Sequence, residues 1–257
     1  MTFSLSSIMR RPFALVSILP LLVFVVGCGG SSGGGSDEDR DIQDLVFSRS
    51  FAASSPDGIA YDPGSDTLFT VDSSSNQVCQ YTIQGSQIAC FTRNEGGFPE
   101  GIDVLQNGNL VIVDEADNQI TEYTQSGSLV STATLPAGNA PNGVVFHTGT
   151  GSFFNTDDND RAIYEFDADS LLNMIDFSGT ATEPEGIDFD PMTGNLYVVA
   201  DDEGMLYEIT VDGGVESQLD LVALTGFDDP EGVAYDGTTQ TFFIAFDNNE
   251  RVAVLSY

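Results

Sequence analysis

"PEGIDFDPMTGNLYVVADDEGMLYEITVDGGVESQLDL", residues 184–221, breaks into four short apolar stretches separated by "PMTG", "DEG" and "DG". The stretches are too short for helices and their separators carry the residues that hairpin turns require, so the segment reads as four antiparallel strands. Its opening triplet recurs in "PDGIAYD" (56–62), "PEGIDVL" (99–105), "PNGVVFH" (141–147) and "PEGVAYD" (230–236). The five motif glycines, Gly58, Gly101, Gly143, Gly186 and Gly232, are spaced 43, 42, 43 and 46 residues apart. A period in the forties, built of strands, is the signature of a β-propeller.

The other units divide the same way. In the first, "GIAYD", "TLFTVD", "QVCQYTI" and "SQIACFT" are the strands, with "QG" (84–85) as a two-residue turn before the fourth. The last unit supplies only "GVAYD", "TFFIAFD" and "RVAVLSY". The strand-like "DLVFSRSFAA" (44–53) belongs to no other unit, so it is expected to pair into the last blade and close the ring. Closure removes the edges that would template aggregation. The prediction is an all-β, five-bladed propeller of four-stranded antiparallel blades over residues 43–257. "DADSLLNMI" (167–175) is the one candidate for a helical turn.

The first 42 residues read differently. Arg10 and Arg11 precede the apolar run "PFALVSILPLLVFVVG" (12–27), the pattern of a secretory signal peptide. An uncleaved membrane anchor is the alternative, since the run is nearly long enough to span. "GGSSGGGSDEDRD" (29–41) then reads as a flexible tether with an acidic end.

Charge narrows the partners. The chain has no Lys, and beyond the leader it keeps five Arg against 40 acidic residues. Nucleic acids and anionic lipid surfaces are poor partners for such a surface, while cations and basic or neutral ligands suit it. An acidic surface of this kind also fits life in salt water, which explains the bulk charge but not charges that recur at fixed positions. A monomer is expected.

Asp57, Glu100, Asn142, Glu185 and Glu231 stand between Pro and Gly in the five motifs. Each would sit where an inner strand starts beside the axis. Pro stiffens the approach and Gly allows close backbone contact. Two carboxylates roughly 7 Å apart at an effective dielectric near 20 repel by about 2 kcal/mol, so four around one axis cost on the order of 10 kcal/mol. Protonation, solvent and salt, or a bound cation must relieve this. Ca2+ accepts carboxylate, amide and water oxygens in flexible geometry and suits the five as metal ligands. Zn2+ fits poorly, because His147 is the single His and the cysteines beyond Cys28 are Cys79 and Cys90 alone. The alternative role is capping of neighbouring turns.

A second recurring acid follows each second strand: Asp72, Asp114, Asp157, Asp201 and Asp247. With alternating strand directions these form a rim on the same face, although Asp before a polar loop is also ordinary turn chemistry. Asp103 and Asp188, within inner strands, are expected to bond backbone N–H groups. His147 reads as a packing or turn residue. With Gln84–Gly85 as the turn, Cys79 and Cys90 fall opposite each other, consistent with a disulfide in an oxidising compartment. No Gly-x-Ser-x-Gly, His-Glu-x-x-His or phosphate-loop motif occurs.

Three resemblances add to this. "VVGC" (25–28) resembles a bacterial lipobox, which implies cleavage after residue 27, acylation of Cys28 and anchorage to a lipid bilayer. Gly29 in place of Asp then implies an outer-membrane lipoprotein facing the periplasm or the cell surface. The blades, in "PEGIDFDPMTGNLYVVADDEGMLYEI" and "PEGIDVLQNGNLVIVDEADNQITEY", resemble NHL repeats and the SdiA-regulated family of bacterial envelope propellers. "PNG" (141–143) and "PDG" (56–58) are similar to motifs of the senescence-marker-protein/gluconolactonase family. That similarity implies metal-ligand roles for Asn142 and Asp57, with Glu100, Glu185 or Glu231 beside them. Two functions follow: a binding or scaffold propeller with a cation-holding, acidic mouth, or a metal-dependent lactonase or esterase. That family is usually six-bladed, whereas five repeats occur here. A phytase-like phosphoesterase ranks third, because a phosphate ester would meet few Arg and no Lys.

Overall fold

A computed structural model describes residues 40–94, 97–167 and 170–257. The leader, Cys28 and most of the tether lie outside the described residues. Strand β1 (Val46–Ala52) is followed by five repeating sets. Blade 1 holds β2 (Gly58–Asp62), β3 (Thr67–Asp72), β4 (Gln77–Thr82) and β5 (Gln87–Thr92). Blade 2 holds β6 (Pro99–Val104), β7 (Leu110–Asp114), β8 (Gln119–Tyr123) and β9 (Leu129–Thr134). Blade 3 holds β10 (Pro141–His147), β11 (Ser152–Asp157), β12 (Ala162–Phe166) and β13 (Leu171–Asp176). Blade 4 holds β14 (Pro184–Phe189), β15 (Leu196–Ala200), β16 (Met205–Ile209) and β17 (Val215–Asp220). Blade 5 holds β18 (Pro230–Asp236), β19 (Thr241–Phe246) and β20 (Arg251–Ser256), with β1 as its fourth strand in the order β1-β20-β19-β18. The molecule is a five-bladed propeller.

Burial follows from sheets packed face to face around a ring. The second strands β3, β7, β11 and β15 are buried at every residue, and the outer strand β5 is mostly exposed. The core lies between blades. Val111, Val113 and Ile120 of blade 2 pack with Val144, Phe153 and Phe166 of blade 3. Ile59, Leu68 and Tyr81 of blade 1 pack with Phe243, Ala245 and Val252 of blade 5 across the closing seam. Each such side chain contributes roughly 1.5–3 kcal/mol when fully buried. β1 runs from Val46↔Ser256 to Ala52↔Arg251 against β20, and a 3-10 turn at Ile42–Asp44 plants Ile42 and Leu45 in the core beside it.

Two local expectations are corrected. Leu171–Asp176, which overlaps the stretch read as a helical turn (167–175), is the outer strand β13. The short α-helix is instead Leu221–Thr225, capped by Asp220, which accepts from Ala223 N at 2.7 Å, and ended by Gly226 at φ +77°. It accounts for the longer last spacing. The turn at Gln84–Gly85 is also not a two-residue one. Thr82 N donates to Ser86 O and Gly85, at φ +91°, donates to Thr82 O, so three residues form the turn. A bulge between Gln80 and Tyr81 offsets the added residue, and Cys79 still pairs with Cys90. Their sulfurs form a disulfide.

Candidate functional site

The antiparallel blades bring two sets of segments to one face: the starts of the inner strands and the loops after the second strands. In blades 2 to 5 the pairing of first and second strands shifts register at the Pro-x-Gly motif. Such a bulge re-aims the side chain it carries. Asp57, Glu100, Asn142, Glu185 and Glu231 all line one axial cavity of about 10 Å³, together with the five motif glycines. That space takes about one water-sized sphere.

The ring residues differ in their bonding. Asp57 Oδ2 accepts from Ser73 N at 2.7 Å. Asn142 Nδ2 donates to Glu185 Oε2, and Asn142 Oδ1 is buried with no hydrogen-bond partner among the described residues. The carboxyl groups are electrostatically one unit. Burial, then the charges of Asp57 and Glu185, push Glu100 up to about 9. Burial, then Glu185 and Asp229, push Glu231 up to about 11. Burial raises Glu185 to about 8 against the Asn142 bond, and Asp57 to about 6 against the Ser73 N–H. Near pH 7 the ring therefore holds protons unless a cation replaces them.

The rim divides. Asp72 Oδ1 accepts from Ser75 N at 2.8 Å and Ser74 Oγ at 2.7 Å. Asp157 accepts from Asn139 N, Ala140 N and Asp160 N at 2.7–3.0 Å. Asp114 accepts from Phe98 N and Asp117 N and forms a buried ion pair with Arg93 at 3.1 Å. These three are turn caps. Asp201 and Asp247 are not used this way. Asp247 Oδ1 is buried without a hydrogen-bond partner among the described residues. Asp201 is pushed up to about 7 by burial, then by the Asp229 charge and a hydrogen bond shared with that carboxyl group.

Asp201, Asp229 and Glu231 each offer an oxygen within 4.8 Å of the others, and Glu183, Asp201 and Asp202 form a second such group. Two oxygens at about 2.4 Å from one Ca2+ are separated by up to about 4.8 Å, so either group fits a shared cation. Of the ring carboxylates, Glu231 alone joins such a cluster among the described residues. Asp229, Glu183 and Asp202 are additions to the residues read from sequence. Asp229 stands before Pro230 at φ +67°, a left-handed conformation unusual for a residue preceding Pro. Asp201 and Asp229 of the cluster line a groove of about 300 Å³ together with Asp202, Glu203, Val222 and Asp228.

Asp103 and Asp188 do bond backbone, each to its own strand and to the next blade. His147 Nδ1 accepts from Thr150 N at 3.0 Å in a turn, and its ring lies 4.1 Å from that of Phe189.

This chain belongs to the SdiA-regulated family, whose pattern matches residues 52–137 and 160–257. No curated protein matches it. Among solved structures it is similar to the glutaminyl cyclase of Myxococcus xanthus, with TM-score 0.69 and 14% identity over 82% of this chain and 95% of that one. A streptogramin B lyase gives TM-score 0.54 and 13% identity over 82% and 97%. The virginiamycin B lyase of Staphylococcus aureus, solved as an inactive H270A form with quinupristin, gives 0.51 and 16% over 75% and 78%. At these identities the likeness is one of fold.

Proposed function

We propose that this protein is a lipid-anchored propeller of the bacterial envelope that binds a divalent cation, Ca2+, at its acidic mouth and acts as a binding or scaffold module. The observation that carries the reading is the Asp201–Asp229–Glu231 cluster, whose oxygens lie within 4.8 Å of one another beside the axial ring. Hard oxygen donors in flexible loops suit Ca2+ better than a softer metal. Positive charge at this face is limited among the described residues: Arg93, buried, is committed to Asp114, and Arg161 acts on Glu183. The small axial cavity favours an ion over an organic substrate.

A melting curve of detergent-solubilised protein with Ca2+ and with EGTA tests the cation. A rise of several degrees, lost in Glu231→Gln, is expected, and identical curves would sink the proposal. Intact mass of the membrane fraction tests the anchor: the mature chain should begin at Cys28 and carry acyl mass.

A metal-dependent lactonase or esterase is the second reading. It is favoured by one observation: Glu231, a carboxyl group kept protonated by burial, shares a cluster with Asp201 and Asp229, which line a groove. A screen of lactones and aryl esters with Ca2+ separates the two. Turnover abolished by Glu231→Gln supports the enzyme; a flat screen with intact Ca2+ binding supports the binding module.

A further inference from the structure

The opposite end of the axis carries a second, larger cavity. The inner strands end there, and with the turns that follow they enclose about 380 Å³. Small-molecule sites commonly measure roughly 300–1,000 Å³. Tyr61, Phe146, Phe189 and Tyr235 contribute to its lining, all from the same position of four inner strands, with Val104 in the remaining blade. One residue earlier in blades 2 and 4 come Asp103 and Asp188, which line the cavity too.

These two carboxylates hold the blades together without using up their capacity. Asp103 Oδ1 accepts from Val104 N at 2.6 Å, and Oδ2 from Phe146 N of blade 3 at 2.7 Å. Asp188 Oδ1 accepts from Phe189 N at 2.6 Å, and Oδ2 from Tyr235 N of blade 5 at 2.6 Å. A carboxylate oxygen has two lone-pair positions, so each keeps one. Asp190 and Asp236 add negative charge to the lining, while their own oxygens cap turns at Met192 N and Thr238 N. No Lys, Arg or His is among the lining residues.

An anion would be repelled here, and a neutral apolar ligand would leave the remaining acceptor positions of both carboxyl groups unpaired. Aromatic faces and carboxylates together favour an ammonium group. We propose that this cavity binds a small organic cation, a protonated or quaternary ammonium on an apolar body, with its charge toward Asp103 and Asp188 and its body against the aromatic residues. Burial already raises both carboxyl groups, Asp103 to about 7, and the Asp103 charge raises Asp188 further. A bound ammonium reverses that trend.

Calorimetric titration of the full-length, detergent-solubilised protein with phenethylammonium tests this, in EGTA and again in excess Ca2+. Saturable one-to-one binding is expected in both. 2-Phenylethanol, similar in shape but uncharged, should bind at least about tenfold more weakly. Asp188→Asn should weaken binding by about tenfold or more, but it also removes an acceptor that the fold uses. Gly237→Leu is the safer variant. A Cβ at Gly237 would meet Tyr235 Cε1 at 3.5 Å, an ordinary contact, and its side chain would crowd the cavity lining. It should abolish binding while leaving the far-UV CD spectrum unchanged. The proposal is overturned by absence of saturable binding, by equal affinity for the alcohol, or by binding that survives Gly237→Leu in a folded protein.

Discussion

A Cβ on Gly58 would lie 2.2 Å from the backbone carbonyl oxygen of Glu100 in the next blade. The same relation runs round the ring: Gly101 faces Asn142 O at 2.2 Å, Gly143 faces Glu185 O at 2.5 Å and Gly186 faces Glu231 O at 2.7 Å. Gly232 completes it against Asp57 O at 3.1 Å. None of the five has positive φ, so the glycines serve contact between neighbouring inner strands rather than a special turn. Gly58→Ala should therefore destabilise by at least about 1–3 kcal/mol, as overpacking does. Gly179→Ala is the matched control. Its Cβ meets nothing within 4 Å and its φ is not left-handed, so its effect should stay within about 0.5 kcal/mol. Urea denaturation of the two variants measures the difference.

Arg93 and Asp114 form an ion pair at this acidic mouth, with both side chains almost fully buried. Arg93 also donates to Tyr123 Oη at 3.3 Å and Asn76 Oδ1 at 3.2 Å, joining blade 1 to blade 2. Arg93→Met leaves Asp114 buried without its partner and should cost about 3–5 kcal/mol. Arg93→Met combined with Asp114→Leu removes the stranded charge and should recover part of that loss. Chemical denaturation of the wild type, both single variants and the double variant closes the cycle.

Blade number, strand positions and ring closure are legible because each Pro-x-Gly triplet marks an inner strand and "DLVFSRSFAA" has no other partner. The axial convergence of Asp57, Glu100, Asn142, Glu185 and Glu231 follows from the same repeat. What the repeat does not separate is rim acids of identical sequence position. Asp157 ends a second strand and Asp201 directly follows one, yet the first accepts three backbone N–H groups and the other faces a second carboxyl group. Asp157 meets the loop before its own blade's inner strand, whereas Asp201 meets Asp229, held at φ +67° in the loop before the next blade's inner strand. The cavity at the far end is hidden in the sequence for a related reason. Its aromatic residues lie on four different inner strands, and only closure of the ring brings them to shared space.

The disulfide between Cys79 and Cys90 closes a short loop, with a sequence separation of 11. Loop-closure entropy for that length amounts to about 3 kcal/mol. Reduction should lower stability by up to that amount without dismantling the propeller, because the β4–β5 pair remains in a four-stranded sheet. Denatured but unreduced protein should show no reactive thiol from Cys79 or Cys90, and two after reduction. Denaturant melts with and without reductant give the stability term.

Proton and cation should compete at the mouth. Glu100, Glu185 and Glu231 have folded-state values raised from 4.5 to about 9, 8 and 11, chiefly by burial. The folded protein therefore binds more protons than the unfolded chain above pH 4.5, and stability falls as pH rises. The contribution is fully present below the unfolded value and is lost as pH climbs through the folded values. Without divalent cation, the melting temperature should be higher at pH 6 than at pH 9. Ca2+ substitutes for those protons, so its binding should tighten with rising pH and release protons into the buffer. Calorimetry in buffers of different ionisation enthalpy counts them. Saturating Ca2+ should flatten the pH dependence of the melting temperature, and Glu231→Gln should flatten it in EGTA as well, by removing the group with the largest shift. A melting temperature that rises from pH 6 to pH 9 in EGTA would contradict the buried, protonated ring.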